Sequence, residues 1–269
     1  AARGGLARAR AAPPAGPGGG LAPGNRRDLL TALAKIRGST DGRLTIGYVI
    51  GARYAVPEHV AIPMMGILAA TFSQYRRVDE DTFEARSIEV AFFTDLETGE
   101  MLETWKNPVT GAVVKVPPTR LGPSLTVMTV DGVRVPKPSG EAAGLELKHR
   151  FLAPVVVGDD VWVTEDIRVD AAPGGRRFAY NELSTYHARR TELDDPARAT
   201  VDTIVDYQSL ITFRPWMGFG DSPGHPIARG AGRRVQRVED LPAQYLALAR
   251  RHAPDVLDDP LKVLAQAKG

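Results

Sequence analysis

The sequence predicts a mainly β protein, a large curved antiparallel sheet or barrel with a few peripheral helices. Three observations carry this expectation. Runs rich in β-branched and aromatic residues recur along the chain, bounded by Gly, Pro, Asn and Asp clusters. Several of them, Leu44 to Val56 and Arg177 to Arg189 among others, are long enough to call for strong curvature or closure, which removes open sheet edges. The stretch Arg86 to Gly111, RSIEVAFFTDLETGEMLETWKNPVTG, compresses two apolar runs, two tight-turn signals and a tryptophan into one meander.

The elements follow in order. Asp28 can cap a short helix over Leu29 to Ile36, a lid on the core, which Gly38 ends. Asp41-Gly42 turns into the strand Leu44 to Val56, where Gly47 and Gly51 suggest a bend or a close approach. Met64 to Ala70 is strand, and Thr71 to Val78 pairs with Thr82 to Asp95 through the polar tip Asp79-Glu80-Asp81. The meander runs on through Glu97-Thr98-Gly99 into Met101 to Trp105, then through Asn107 to Gly111 into Val113 to Val116, giving three or four consecutive antiparallel strands. Leu125 to Val130, Leu145 to Val157 and Asp160 to Asp170 are further strands, and Gly174-Gly175 turns into Arg177 to Arg189. Val201 to Phe213 returns, and the Gly/Pro-rich loop Arg214 to His225 closes the pattern. Leu241 to His252 is an amphipathic helix with Pro242 in its first turn, and Pro260 to Ala267 a terminal one.

Composition excludes several classes. Of 269 residues, 43% are hydrophobic and 25% charged, ordinary for a soluble globular protein, and no apolar run approaches a membrane span. Five of the 34 basic residues lie in residues 1–27, which hold no acid, leaving 29 basic against 32 acidic side chains in 28–269. With no basic stripe there, neither nucleic-acid binding nor membrane insertion is expected. There are no cysteines, hence no disulfide, thiolate metal site or cysteine nucleophile. Residues 1–27 are Ala/Gly/Pro/Arg low-complexity sequence, expected to be a disordered tail on a single domain over 28–269. Ala9-Arg10-Ala11 looks like the end of an export signal whose apolar segment is missing, and a periplasmic or exported location is slightly favoured over a cytoplasmic one.

No phosphate loop, His-Glu-x-x-His helix or Gly-x-Ser-x-Gly elbow is present, and Gly218-x-Gly220 leads to Pro226 rather than to a helix. The expectation is therefore a site without a cofactor. Glu89 stands between Ile88 and Val90 inside an apolar strand, where an unpaired charge is costly; it is either a proton-transfer group raised by burial or half of an ion pair with Arg86. His149, His187 and Tyr180 are the other catalytic candidates, each with a surface or packing role as its bland alternative. No histidine pair has ligand spacing, so no metal site is assigned. Arg53 and Arg214 are candidate clamps for an anionic group, and Trp105, Asn181, Tyr207, Trp216 and His225 are candidate lining residues. On Val201 to Phe213 the odd-numbered face, with Tyr207, is the expected lining; on Arg177 to Arg189 neither face is clean.

The segment Arg37-Gly38 through Asp41-Gly42-Arg43, the central meander, the Tyr180-Asn181 pair and the loop RPWM-x-FG-x-x-PGH together resemble domain-of-unknown-function family 1838, over nearly the whole chain beyond residue 27. That resemblance implies a bacterial family often carried behind export signals. Its activity is not established, so it assigns no catalytic residue.

The functional expectation is a cofactor-independent enzyme of lyase or isomerase type, working by acid/base chemistry on a small organic or aromatic molecule in a barrel cavity. The alternative is a small-molecule-binding protein of the cell envelope without turnover. A structural subunit of a homo-oligomer is a third, weaker reading.

Overall fold

The computed structural model describes residues 21, 25–117, 119–136, 146–171 and 178–268. Within them thirteen strands alternate with short loops: β1 (Leu44–Val56), β2 (Ile62–Arg77), β3 (Phe83–Thr94), β4 (Thr104–Lys106), β5 (Val113–Lys115), β6 (Thr119–Thr129), β7 (Gly132–Arg134), β8 (Glu146–Phe151), β9 (Val155–Val157), β10 (Asp160–Ala171), β11 (Phe178–Arg189), β12 (Ile204–Ile211) and β13 (His225–Val235). The helices are α1 (Arg26–Arg37), α2 (Arg190–Asp194), α3 (Ala243–His252), α4 (Pro254–Asp258) and α5 (Pro260–Leu264).

Eleven strands form one antiparallel sheet in the order β7-β6-β3-β2-β1-β13-β12-β11-β10-β8, with β9 as a second partner of β10. The sheet curls into a nearly closed barrel. Its two edges meet where the Val133 backbone N–H on β7 donates to Nδ1 of His149 on β8 at 2.9 Å. They come so close that a Cβ on Gly132, whose φ is 143°, would lie 2.0 Å from the His149 carbonyl oxygen.

Strand alternation sorts the side chains. Odd positions of β3, β10 and β12 and even positions of β11 and β13 point into the barrel. The outer faces of β2 and β3 are apolar at Leu68, Ala70, Phe72, Ile88, Val90 and Phe92, and these pack under Tyr245, Leu246 and Ala249 of α3 with Val256, Val263 and Leu264 of α4 and α5. The first helix does something different. Leu30 and Leu33 of α1 cluster with Phe83 of β3, Met128 of β6, Val161 and Val163 of β10 and Ala188 of β11, and only an element lying across a barrel end can touch strands from both sides of the lumen. Leu21 is buried in the same cluster, while the rest of the tail expected over residues 1–27 lies outside the described residues up to Asn25. The opposite end is closed by Trp105, Val116, Phe213, Met217 and Phe219 packed on Met65, Ile67 and Phe93.

Four local expectations are corrected. The strand β13 occupies residues expected to be loop and post-loop chain, and it supplies the partner of both β1 and β12. The meander divides: β3 belongs to the barrel, but β4 and β5 form a separate two-stranded sheet that carries Trp105 into the end cap. The strand expected from Leu145 to Val157 is broken at Leu152 to Pro154 into β8 and β9, because Pro154 lacks the N–H a ladder needs; Leu145 itself, like the turn at Gly174-Gly175, lies outside the described residues. Finally, Gly47 makes only ordinary contact, since a Cβ on it would lie 3.8 Å from its nearest neighbour, Arg233 O, whereas a Cβ on Gly51 would sit 2.1 Å from Arg229 O.

Across the same pairing, a Cβ on Gly232 would sit 1.9 Å from Tyr48 O and 2.9 Å from Val49 Cγ2. Gly232→Ala is therefore expected to lose about 2–3 kcal/mol of stability by forcing β1 and β13 apart. Gly47→Ala should cost under about 1 kcal/mol. Urea titration of the pair checks this, and equal midpoints would sink the close-approach argument.

Candidate functional site

The lumen has two unlike walls. On the side of β3, β2, β1 and β13 the inward residues are mostly small: Ala91, Ala69, Val49, Gly51, Gly230 and Gly232. On the side of β12, β11, β10 and β8 they are large and polar. One cross-strand row there is Tyr207, Ser184 and Glu165; the next runs from Arg53 through Ala228 to Ser209, Glu182, Ile167 and His149. A bare wall facing a polar one leaves side chains reaching across a common interior.

Two groups of polar residues occupy that interior. The first lies toward α1. Arg37, the last residue of the helix, places Nε 3.1 Å from Glu165 Oε2, and Glu165 Oε1 is 2.5 Å from His149 Nε2. The side chains of Glu165 and His149 are 1% and 3% exposed. Tyr186 shares this interior, its phenol raised by burial and then by the Glu165 charge. Burial opposes ionisation of Glu165, but Arg37 and then His149 outweigh it and hold the carboxyl below its ordinary range. His149 Nδ1 accepts the Val133 N–H, so its proton sits on Nε2 and points at Glu165. Both ring nitrogens are thus committed, one to the barrel seam and one to the Glu165 carboxylate.

The second group lies nearer the Trp105 end. Tyr180 donates a very short hydrogen bond to Glu182 Oε2, and Ser184 Oγ donates to Oε1 at 2.7 Å. Tyr207 donates to Ser209 Oγ at 2.8 Å. Glu89 enters from β3, in cross-strand register with Thr71 on β2. Burial, and then the charge of Glu182, push the Glu89 carboxyl up to about 7, against the pull of Arg53 and Thr71. Burial also raises Glu182, and burial with the Glu182 charge raises Tyr180 and Tyr207, so both phenols stay protonated at neutral pH. Arg53 stacks over Phe93 with its guanidinium carbon 4.9 Å from the ring centroid. Glu89, Glu182, Tyr180, Tyr207 and Arg53 are all half-buried, so water reaches the middle of the lumen.

The other sequence candidates fall elsewhere. His187 is on the outward face of β11, 2.7 Å from Asp160 and against Trp162. Asn181, its neighbour in parity, is exposed. His225 opens β13 opposite Val56. Trp105 is buried in the end cap, its Nε1–H donating to Met64 O at 3.1 Å. Trp216 is half-buried against Phe93, ring centroids 5.6 Å apart, and Arg214 lies over Phe178 at 4.3 Å on the rim. The Glu89–Arg86 pair does not form, because residues three apart on a strand point to opposite faces. Among the described residues no three His, Asp or Glu side chains gather as a metal-ligand set.

Sequence reasoning passed over Glu165, Glu182, Tyr186 and Arg37. The even positions 180, 182, 184 and 186 all bear hydrogen-bonding groups, and that run is the signal that marks the wet face of β11. Two shallow surface depressions, of about 290 and 410 Å³, lie away from the lumen, beside Arg43 and Arg198 and beside Glu103 and Arg251, and neither contains any of these groups.

A family model described as a protein of unknown function (DUF1838) matches residues 49–267, most of the chain. The chain belongs to DUF1838. Of the residues of this DUF1838 lumen, Arg53, Glu89, His149, Glu165, Tyr180, Glu182, Tyr186 and Tyr207 lie inside the matched region, and Arg37 precedes it. No curated protein matches the chain. Among the described residues of the DUF1838 barrel, no helix is long and apolar enough to cross a membrane.

Proposed function

We propose that the barrel is a cofactor-independent enzyme of lyase or isomerase type, acting by acid/base chemistry on a small organic or aromatic molecule in its lumen. The observation that carries this reading is Glu89, an inward-facing, half-buried carboxyl of β3 pushed up to about 7 by burial and by the charge of Glu182, which itself accepts from Tyr180. A group that titrates near the working pH is present in both forms, so it can take a proton from carbon or oxygen and return it without a second charged partner. Tyr180 and Tyr207, held in their neutral form, act as hydrogen-bond donors to an oxygen on which charge develops. The apolar pair Phe93 and Trp216 offers an aromatic substrate a surface at the same end.

One observation favours a second reading, a small-molecule-binding protein without turnover. His149 shares the lumen but has both nitrogens engaged, and His187 faces outward, so neither histidine assists Glu89.

Native mass spectrometry of the protein purified from its own host decides between them. The retained molecule, isolated and returned to fresh protein at pH 7, is expected to be converted to a product of equal mass or to two fragments. Recovery of that molecule unchanged would leave the binding reading in its place.

A further inference from the structure

Resting on the reading that the lumen is the site, we infer that its ligand is a small organic monocarboxylate, with the carboxylate on Arg53 and the apolar body against Phe93, Trp216 and Tyr207. Arg53 is a cation without a counter-ion. Among the described residues no carboxylate lies within ion-pair distance of it and no protein group accepts a hydrogen bond from it, and its buried Nε has no partner. Burial lowers its pKa, and the one strong contact it makes among those residues is the face of Phe93. The buried cations Arg37, Lys35 and Arg234 are all engaged: Arg37 with Glu165, Lys35 with the carbonyls of Leu193 and Asp195, and Arg234 with the carbonyls of α1.

A second observation points the same way. Arg214, on the rim beside Phe178, repels Arg53 electrostatically and has no acidic partner among the described residues. Two arginines within electrostatic reach of each other raise the local concentration of negative ligands. The planar guanidinium suits a planar carboxylate, which it holds by two parallel N–H···O bonds. The neighbouring carboxyls select the charge. Glu89 and Glu182 share the interior with Arg53, so a monoanion meets less repulsion than a phosphate dianion.

The test uses the full chain and the fluorescence of Trp216 at pH 7, with benzoate, phenylacetate and 3-phenylpropanoate as probes, phenylacetamide as the neutral counterpart of phenylacetate, and phenyl phosphate as the dianion. At least one carboxylate is expected to bind, phenylacetate at least tenfold more tightly than phenylacetamide. Arg53→Met should weaken carboxylate binding at least tenfold, and Arg53→Lys should retain part of it. Circular dichroism establishes that each variant is folded. If Arg53→Met does not fold, the preference of the unaltered chain for carboxylate over amide and its weakening by salt carry the test alone. Equal binding of phenylacetamide, unchanged binding by folded Arg53→Met, binding of phenyl phosphate alone, or no binding by any carboxylate would each overturn the inference. The enzyme reading fails separately: carboxylates that bind through Arg53 but are never converted refute turnover and leave the anion site standing, whereas Glu89-dependent conversion of a neutral molecule does the reverse.

Discussion

Replacing Arg234 with methionine is expected to remove about 3–5 kcal/mol of folding stability. Arg234 is 9% exposed and points from β13 into the α1 end of the barrel. Its Nη1 donates to Lys35 O at 2.9 Å and to Val201 O at 2.9 Å, its Nη2 donates to Ile36 O at 2.6 Å, and it also bonds the Thr200 hydroxyl. Carbonyls at the C-terminus of a helix have no intrahelical donors and carry the negative end of its dipole, so one cation there serves both needs. Methionine fills much of the volume and supplies no N–H, removing the donor to Ile36 O and Val201 O and leaving Lys35 O only the long bond from the Val201 N–H at 3.4 Å. Arg234→Lys keeps the charge but not the fork, and should recover only part of the loss. Guanidinium titration followed by circular dichroism measures both variants, and a loss under about 1 kcal/mol for the methionine variant would show that α1 is held by its apolar face alone.

The second large effect lies at Glu89. Its carboxyl titrates near 4.5 in an unfolded chain and about 7 in the barrel, so folding favours the protonated form. The stabilisation this brings is complete below pH 4.5 and disappears as the pH rises through 7. Burying the anion above pH 7 costs about 3 kcal/mol relative to the neutral acid. Glu89→Gln keeps the shape and cannot ionise. It should match the parent in stability near pH 4.5 and exceed it by up to about 3 kcal/mol at pH 8.5, the gap opening between these limits. Any conversion of the native ligand should fall by roughly 10²–10⁴-fold in the same variant, since proton transfer from a positioned side chain contributes that much. A variant that is more stable yet equally active would separate Glu89's burial from any chemical role.

The position of Glu89 was legible in the chain because a carboxylate in an apolar alternation has few inexpensive explanations. Its partners were less so, for a geometric reason. Tyr180 and Asn181 are adjacent and both polar, so pattern alone cannot choose the inner one; closure of the sheet chooses the even positions and sends Asn181 and His187 outward. The helix lid and most strands follow from turn residues and β-branched runs. The strand β13 does not, because HPIARGAGRRV turns alanine, glycine and arginine inward, where a hydrophobic pattern would be sought. Its inward arginine is Arg234, whose partners are backbone atoms of α1 and of the chain before β12, a relation that no spacing in the sequence expresses.

The late position of β13 also fixes when the barrel can exist. Strand β1 is made well before its second neighbour, which is built from residues 225–235. Until those residues follow, β1 keeps an open edge, and the close approach of Gly51 to Arg229 O cannot form. Pairing across so long a separation is slow because the loop entropy is lost before the contacts compensate for it. The nascent chain must keep that edge from other strands until β13 has been made.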